Sequence, residues 1–560
     1  MIAGLPEKRQ KIFIALALLC HVYFFQIYPT FVPTNELSRL LLVSAVVDDH
    51  TFAIDRAITR FNDSEDKAFF NGHSYSDKAI GVSLLGIIPY AVLRLAEASF
   101  HFRVSAAIAL FWLHLFSITI PSILFLSVIS RYWQRMRPDT NLIPHFLFLL
   151  LFGTIAFTYS VQFISHYLLG IFLFCSVYWI DTYNERPDER PSENLLLAGA
   201  AAGLALTMEY PAVFPVALIG LYALRSLRKN LFRIVWFAAP LCVFLLLMLA
   251  YNHSIFGTPF DVTYRHMTDR HIEHHARGIV GVRLPTAAAI GGLLFSRHHG
   301  LFFTSPFLLF SIPGLFLLLR RKEWRLRAWL FSGICLSLLL VYAGFTYWIG
   351  GWAFGPRYLA PAMPFLVTAA YFFFTEPKIR ANPWLKLAGI ITGILSVLMV
   401  VIGTATFPYP PDPIKDPHFF VFFPLVPHDG FGYNIGRLFG FTGLGTLLLF
   451  FTLLCLTYLT AVAPAGRFIG PSAHAVKQWA TAAVVACVLI VAGFWTSPAR
   501  DAREYYARGL VYAFVGNYRQ ASVDMNTALI VNPDKDLEQR IHRTIFQLDR
   551  LIQQNQQSTP

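Results

Sequence analysis

Residues 33–39 read PTNELSR and residues 71–81 read NGHSYSDKAIG, and both segments follow the first apolar stretch of the chain. They place two carboxylates, an arginine and a lysine in one loop of a sequence that is otherwise largely hydrophobic. Charged side chains beside a membrane are unfavourable unless they pair or serve a function. The two segments therefore predict one half of an active site.

The amino-acid composition indicates a membrane protein. The chain has 560 residues, of which 56% are hydrophobic and 14% are charged, and its mean hydropathy is +0.53. Soluble domains carry about 25% charged residues, so we expect an all-α polytopic membrane protein. The net charge is +13, but the Lys and Arg residues cluster in short loops between apolar segments, as membrane insertion selects. We therefore expect no nucleic-acid binding.

The apolar segments predict about thirteen membrane-spanning helices. With a cytoplasmic N-terminus, the basic clusters of the connecting loops fall on the cytoplasmic side. This orientation requires residues 80–98 to lie along the membrane surface or to re-enter, so the first external loop spans residues 33–103. The predicted spans lie near residues 12–32, 104–130, 142–159, 164–181, 194–208, 211–225, 233–251, 300–319, 328–347, 358–375, 384–406, 437–462 and 477–496.

Most of the unusual ionisable residues fall on the external side, close to the ends of predicted helices. Ordinary solvated loops would not concentrate such groups there, so we expect this side to carry the function. Asp55 in the first loop is a candidate supporting residue. His166, Glu209 and Tyr210 at helix ends are further candidates, and satisfaction by ordinary packing is the alternative explanation for each.

Glu36 begins a predicted helix next to the membrane. Its carboxylate either complements the helix dipole or acts as a general base. Partial burial would raise its pKa toward neutrality, as proton abstraction requires. Arg39 is three residues further along and lies close enough on the same helix face to hold the charge of Glu36.

Asp77 and Lys78 immediately precede the apolar segment 80–98. Lys78 either extends to the membrane surface or neutralises a phosphate leaving group. Asp77 either pairs with Lys78 or holds a divalent metal.

A second strong signal is the segment YWIGGWAFGPRYLAPAMPFL, residues 347–366. Its glycines permit tight turns, and Pro356 favours the start of a helix. This places Arg357 just inside the external leaflet, where a guanidinium can bind a phosphate through two hydrogen bonds. Trp348 and Trp352 are explained equally well as part of an interfacial aromatic belt.

A histidine-rich segment in a later external loop is another possible metal site. His271 and His275 stand four residues apart, a spacing that can chelate zinc. No complete ligand set accompanies them, and a solvated loop is the alternative. We assign no cofactor beyond a possible divalent metal.

Residues 499–560 form a small second domain of soluble character after the membrane domain 1–498. Small residues between Ala502 and Pro533 have the spacing of one tetratricopeptide repeat, and residues 536–554 predict a further amphipathic helix. A lone repeat cannot bury its own apolar side. The tail therefore either packs as a cap or binds a protein partner.

The order of these motifs resembles the GT-C membrane glycosyltransferases. PTNELSR, NGHSYSDKAIG and the distant GGWAFGPRYLAPAMPFL carry the resemblance, which covers residues 1–465. More narrowly, the chain is similar to the bacterial, family 39-like branch related to protein mannosyltransferases and the lipid A aminoarabinose transferase. The resemblance implies a helical bundle with a long first external loop, a polyprenyl-phosphate sugar donor and inversion at the anomeric carbon.

The resemblance also implies roles for individual residues. The acidic pair of the family falls on Asn35 and Glu36, and its acidic-Lys stretch falls on Asp77 and Lys78. Because Asn35 stands where many members have Asp, the role of base passes to Glu36. His166 stands where a second acidic residue is usual, and it can accept a proton.

These features lead to the hypothesis of an inverting glycosyltransferase in the bacterial inner membrane. It would move a sugar from a polyprenyl-phosphate donor to a lipid, glycan or protein acceptor on the external face, where the C-terminal tail also lies. Glu36 would deprotonate the acceptor, while Lys78 and Arg357 would bind the departing phosphate. The alternatives are a transporter or flippase of a lipid or anion, and a non-catalytic scaffold that uses the repeat tail.

Overall fold

The chain folds almost entirely into helices. The computed structural model describes residues 2, 5–25, 27–137, 141–267, 278, 281–462 and 473–557. Within these ranges the only sheet is a two-stranded ribbon. The all-α membrane character predicted from the composition is confirmed, because eight of the described helices are long and apolar enough to cross a membrane. These are Gly81–Phe100, Ala106–Met136, Leu231–Phe256, Arg325–Ala343, Arg357–Thr375, Pro383–Ala405, Gly443–Val462 and Lys477–Trp495.

The predicted count of about thirteen spans is not confirmed, because several apolar segments fold as shorter or interrupted helices. The segment predicted near residues 142–159 forms the helices Ile143–Phe152 and Ala156–Tyr159, which are separated at Gly153. Hydropathy registers the apolar length of a segment but not such an interruption. Other described helices of ten or more residues are Glu7–Tyr23, Thr34–Asp48, His166–Glu185, Pro191–Met208, Val213–Ser226, Ser311–Arg320, Ala502–Phe514, Tyr518–Ile530 and Lys535–Gln557.

The segment 33–103, which was expected to be a helical external loop, contains a hairpin that this expectation missed. Strands β1 (Lys67–Phe70) and β2 (His73–Ser76) pair antiparallel across Asn71 and Gly72. These two residues have φ angles of 48° and 84°, as a two-residue hairpin turn requires. The dipeptide Asn-Gly is itself a strong signal for this turn. The hairpin follows the loop helix Thr34–Asp48.

Residues 80–98 form the helix Gly81–Phe100, which folds back along the start of the next helix. The indole Nε1 of Trp112 donates a hydrogen bond of 2.8 Å to the carbonyl oxygen of Pro89. The length and composition of this helix would allow it to cross a membrane. Its expected location along the membrane surface stays a prediction.

Close helix packing in the membrane domain depends on two glycines spaced four residues apart. A Cβ atom at Gly199 would lie 2.0 Å from the carbonyl oxygen of Phe237. A Cβ atom at Gly203 would lie 2.7 Å from a ring carbon of Phe244. Small residues at this spacing let two helix backbones approach each other within a membrane. The backbones of the helices Pro191–Met208 and Leu231–Phe256 therefore approach closely at Gly199, and the ring of Phe244 fills the space beside Gly203.

The C-terminal segment forms the expected helix pair, Ala502–Phe514 and Tyr518–Ile530, followed by Lys535–Gln557. A capping box between Asp501 and Glu504 fixes the start of the first helix. The assignment of the pair as a tetratricopeptide repeat stays a prediction.

We predict that Gly199→Leu lowers the free energy of unfolding by about 1–3 kcal/mol, because the new side chain would overlap the backbone of Phe237. The measurement is the midpoint of thermal unfolding of the protein in lipid nanodiscs. Gly220→Leu is the matched control, since no atom lies within 4 Å of a Cβ placed there. Equal midpoints for the two variants would contradict this account of the packing.

Candidate functional site

One cavity of about 580 Å³ brings together most of the residues singled out in the sequence. Its lining comes from the segment 33–103 and the residues just before it, from the ends of several helices and from the C-terminal tail. Segments that are far apart in the sequence thus meet in one place. The candidate residues that line the cavity are Asn35, Glu36, Arg39, Asp77, Lys78, His166, Glu209 and Arg357.

Lys78 sits between two buried carboxylates at the open end of the hairpin. Its Nζ lies 2.9 Å from Asp66 and 2.7 Å from Asp77. The register pairs Lys67 with Ser76, so the residues just outside this pair, Asp66 and Asp77, emerge side by side. Burial lowers the pKa of Lys78, but the two carboxylates outweigh burial and hold the pKa above its usual value. Lys78 is therefore a permanently charged part of the site.

Asp77 is fully buried and accepts hydrogen bonds from two sides. The hydroxyl of Ser38 on the loop helix donates to Oδ1 at 3.2 Å, and Lys78 donates to Oδ2. Burial raises the pKa of this carboxyl. Asp77 thus joins the hairpin to the helix that carries Glu36.

Arg39 was expected to hold the charge of Glu36, and this expectation is wrong. Its Nη2 donates to the hydroxyl of Ser165 at 3.1 Å and pairs with Glu209 at 3.5 Å. Ser165 also donates to the same oxygen of Glu209. Arg39 consequently links the first loop to the end of a distant helix.

Glu36 is held by three hydrogen bonds. Nε2 of His114 lies 2.5 Å from Oε2, the backbone N–H of Phe163 donates to Oε2 at 2.7 Å, and the hydroxyl of Tyr409 donates to Oε1 at 2.6 Å. Burial raises the pKa of Glu36, but the charge of His114 and the three hydrogen bonds outweigh it and hold the pKa below its usual value. The expectation of a raised pKa is therefore wrong, and Glu36 is kept ionised.

His114 reaches Glu36 from a local irregularity in a long apolar helix. It is the first residue of a π-helical turn, His114–Thr119, inside the helix Ala106–Met136. Such turns are rare and occur frequently at functional sites.

Arg357 differs from the other two cations of the cavity because no described carboxylate forms an ion pair with it. Its Nη2 lies 3.5 Å from the hydroxyl of Tyr358, and its buried Nε has no hydrogen-bond partner. On Arg39, Nε and Nη1 are also buried without a partner. Arg357, Arg39 and Lys78 all lie close enough to His166 to interact with it electrostatically. The two arginines that line the cavity therefore carry guanidinium nitrogens that no described protein group pairs with.

The glycines before Arg357 provide the turns predicted for them. Gly350, Gly351 and Gly355 have φ angles of 80°, 73° and 59°, a region that glycine adopts without steric strain. The carbonyl oxygen of Gly355 lies 3.0 Å from Nδ1 of His299. This contact helps to fix the segment that carries Arg357.

Two predicted supporting residues do not line the cavity. Asp55 is about half exposed and pairs with His73 at the hairpin, 2.8 Å away. Tyr210 packs edge-on against Tyr264 with ring centroids 5.4 Å apart. The carboxylate of Asp55 and the ring of Tyr210 thus contact local partners and do not line the cavity.

The possible metal sites receive no cluster of ligands. Among the described residues, no group of three or more His, Cys, Asp and Glu side chains has an arrangement that would hold a metal ion. The carboxylate of Asp77 is engaged by Lys78 and Ser38. His271 and His275 lie outside the described residues.

The sequence analysis missed several residues of the site. The hairpin register brings in Asp66, which the Asn-Gly turn would have indicated. His114 is a polar residue within an apolar segment, which is itself a signal of function. Tyr409 and Phe514 carry no local signal, since only the tertiary fold places them beside the first loop.

The sequence of this chain matches no protein-family model and no curated protein. The chemistry of the cavity must therefore follow from its own residues. It combines an ionised carboxylate, a lysine held between carboxylates, and guanidinium donors without partners. This combination suits proton transfer beside a bound anion.

We predict that Lys78→Met lowers the free energy of unfolding by about 3–5 kcal/mol, because it leaves two buried carboxylates without their cation. Thermal unfolding in nanodiscs measures the effect. Lys11→Met is the control, since its ion pair with Glu7 is exposed, with 76% and 70% of the two side chains accessible, and should contribute about 0–1 kcal/mol. The added change Asp66→Asn should recover part of the loss; no recovery would argue against the ion pairs as its cause.

Proposed function

We propose that the protein is an inverting glycosyltransferase that uses a polyprenyl-phosphate sugar donor, as the resemblance to the GT-C enzymes implies. The observation that carries the proposal is the pair of arginines, Arg39 and Arg357, whose buried donors lack partners in one cavity. Buried polar groups without hydrogen bonds are unfavourable by about 1–3 kcal/mol each. A phosphate in the cavity would satisfy them through charge-assisted hydrogen bonds.

The distribution of charge supports a local anion site. Carboxylates outnumber cations among the described lining residues, so the cavity as a whole does not attract anions. Lys78 and Arg39 each already pair with carboxylates. Arg357 is the described cation of the lining that retains its full charge for a ligand. A donor phosphate would therefore bind next to Arg357.

The location of Arg357 supports a donor anchored in lipid. It is the first residue of Arg357–Thr375, a helix long and apolar enough to cross a membrane. A phosphate at this end of the helix would lie at the level of the lipid headgroups, with the isoprenoid in the membrane. The sequence also contains no Gly-rich phosphate loop of the kind that binds nucleotides.

The proposed reaction is a single displacement at the anomeric carbon. The acceptor hydroxyl oxygen forms a bond to C1 of the sugar while the bond from C1 to the phosphate oxygen breaks. Arg357 and Arg39 stabilise the departing phosphate, and the acceptor proton passes to Glu36. The hydroxyl of Tyr409 donates to Oε1 of Glu36, and Tyr409 also lines the cavity. An acceptor hydroxyl that took the place of the Tyr409 hydroxyl would therefore contact Oε1. Because the pKa of Glu36 is below its usual value, Glu36 takes the proton late, once the new bond to C1 has made the acceptor oxygen strongly acidic.

The proposal includes a location. The enzyme would lie in the bacterial inner membrane with its N-terminus in the cytoplasm and its cavity and tail on the external side. The acceptor would be a lipid, glycan or protein of the cell envelope.

We predict that Glu36→Gln lowers the rate of sugar transfer by about 10²–10⁴-fold, because the amide cannot accept the proton. Binding of the donor should be unchanged, since the guanidinium donors proposed to bind its phosphate belong to Arg357 and Arg39 and not to residue 36. The assay measures release of label from a panel of radiolabelled polyprenyl-phosphate sugars in the presence of envelope extract. Equal turnover of the variant and the native protein would contradict the role of Glu36, and no release from any donor by folded native protein would refute the proposed function.

We predict that Arg357→Met weakens binding of undecaprenyl phosphate by about 10–100-fold, because a charge-assisted hydrogen bond contributes about 1.5–3 kcal/mol. Its unfolding midpoint should change far less than that of Lys78→Met, since no described carboxylate depends on Arg357. Titration of nanodisc-embedded protein with the lipid, followed by tryptophan fluorescence, measures the affinity. Arg503→Met on the exposed surface of the tail is the control. If the affinity is unchanged in both variants, Arg357 does not form the proposed anion site.

A further inference from the structure

The C-terminal tail is attached to the membrane domain by buried polar contacts. The backbone N–H of Lys415 donates to Glu504 at 3.1 Å, and Glu504 is fully buried. Arg508 donates to the carbonyl oxygen of Phe420 at 3.2 Å while it pairs with Asp524. The orientation of the first tail helix, Ala502–Phe514, is therefore fixed relative to the cavity.

This helix ends inside the wall of the cavity. Its last residue, Phe514, has its ring centroid 5.1 Å from that of Phe31 and 6.1 Å from that of Trp352. The hydroxyl of Thr30 donates to the carbonyl oxygen of Ala513 at 3.2 Å and holds this end in place. Phe31, Trp352 and Phe514 are each partly exposed and all line the cavity. We call these three residues the aromatic rim.

The aromatic rim has no part in the anion chemistry of the cavity. Phosphate binding is explained by Arg357 and Arg39, and proton transfer by Glu36. Three partly exposed rings in a site otherwise rich in charge indicate a ligand with an apolar face. The lining also contains Asn35 and Asp412, whose polar side chains can bind hydroxyl groups.

The rim lies where the polar C-terminal tail meets the cavity. The tail that carries Phe514 bears exposed ion pairs on its outer surface, between Arg503 and Asp534 and between Arg540 and Asp536. A ligand reaches a wall built by such a domain from the aqueous phase, whereas an isoprenoid chain would stay in lipid. A pyranose ring combines an apolar C–H face with hydroxyl groups on its edge, and so matches both parts of the lining.

We infer that the aromatic rim binds a sugar ring of the acceptor, with Phe514 of the tail as one of the residues that contact it. The inference rests on the proposed function only in calling the bound sugar an acceptor, because sugar binding at the rim does not require sugar transfer. The tail would then complete the site for an acceptor glycan, instead of serving only as a cap or as a docking module for another protein.

The test is saturation-transfer NMR on the full-length protein in nanodiscs, with glucose, N-acetylglucosamine, galactose and mannose oligosaccharides as probes. We expect transfer from the aromatic protons of the native protein to the ring protons of at least one oligosaccharide. Phe514→Ala should reduce this transfer at least about tenfold at equal concentration, and Phe514→Trp should restore it, because stacking needs an aromatic face. Phe546→Ala is the matched control on a solvent-exposed part of the tail, where the side chain is 59% exposed.

Each outcome decides the inference separately from the proposed function. No transfer to any probe in the native protein, equal transfer in all variants, or no recovery in Phe514→Trp would overturn it. Binding of undecaprenyl phosphate should be unchanged in Phe514→Ala; a parallel loss would mean that the substitution damages the whole cavity and would also overturn the inference. Sugar binding that depends on Phe514 without any transfer activity would support the rim and contradict the glycosyltransferase proposal. Where transfer is found, Phe514→Ala should raise the acceptor KM about tenfold or more with little change in kcat.

Discussion

The pairing of charges next to apolar helices is the constraint on which the structure around the cavity depends. Lys78 can remain buried only because Asp66 and Asp77 flank it, and these two carboxylates meet only because the hairpin pairs in one register. A shift of one residue would separate them and leave an uncompensated charge, which is strongly destabilising. The Asn-Gly turn that sets this register thereby also sets the geometry of the cavity.

Two arginines that line the cavity keep guanidinium donors without a protein partner. Glu36, Asp77 and Glu209 all have hydrogen-bond partners from distant parts of the chain, whereas Nε of Arg357 and both Nε and Nη1 of Arg39 do not. Other buried polar atoms of the described residues also lack a partner, such as Nε of Arg137, but Arg357 and Arg39 face one shared cavity. The arginines therefore indicate a ligand, and the anionic, membrane-anchored donor that we propose accounts for them.

The sequence predicted the charged part of the site better than its surroundings. The segments around Glu36, Lys78 and Arg357 are recognisable because charge is rare in an apolar chain, so local composition was sufficient. The role of Arg39 and the pKa of Glu36 were mispredicted because each depends on a partner far away in the sequence, Glu209 and His114. The predicted number of spans is not confirmed, because interruptions such as Gly153 break a helix without lowering its hydropathy.

By itself the sequence determined that this is a helical membrane protein whose charged residues gather at helix ends, since composition and hydropathy act locally along the chain. Only the tertiary structure decided which charges pair, which donors stay unsatisfied, and that Phe514 of the tail reaches the cavity. The physical reason is that hydrogen bonds, ion pairs and ring contacts act over a few ångströms. Their partners here lie tens to hundreds of residues apart, at distances in space that only the packed helices define.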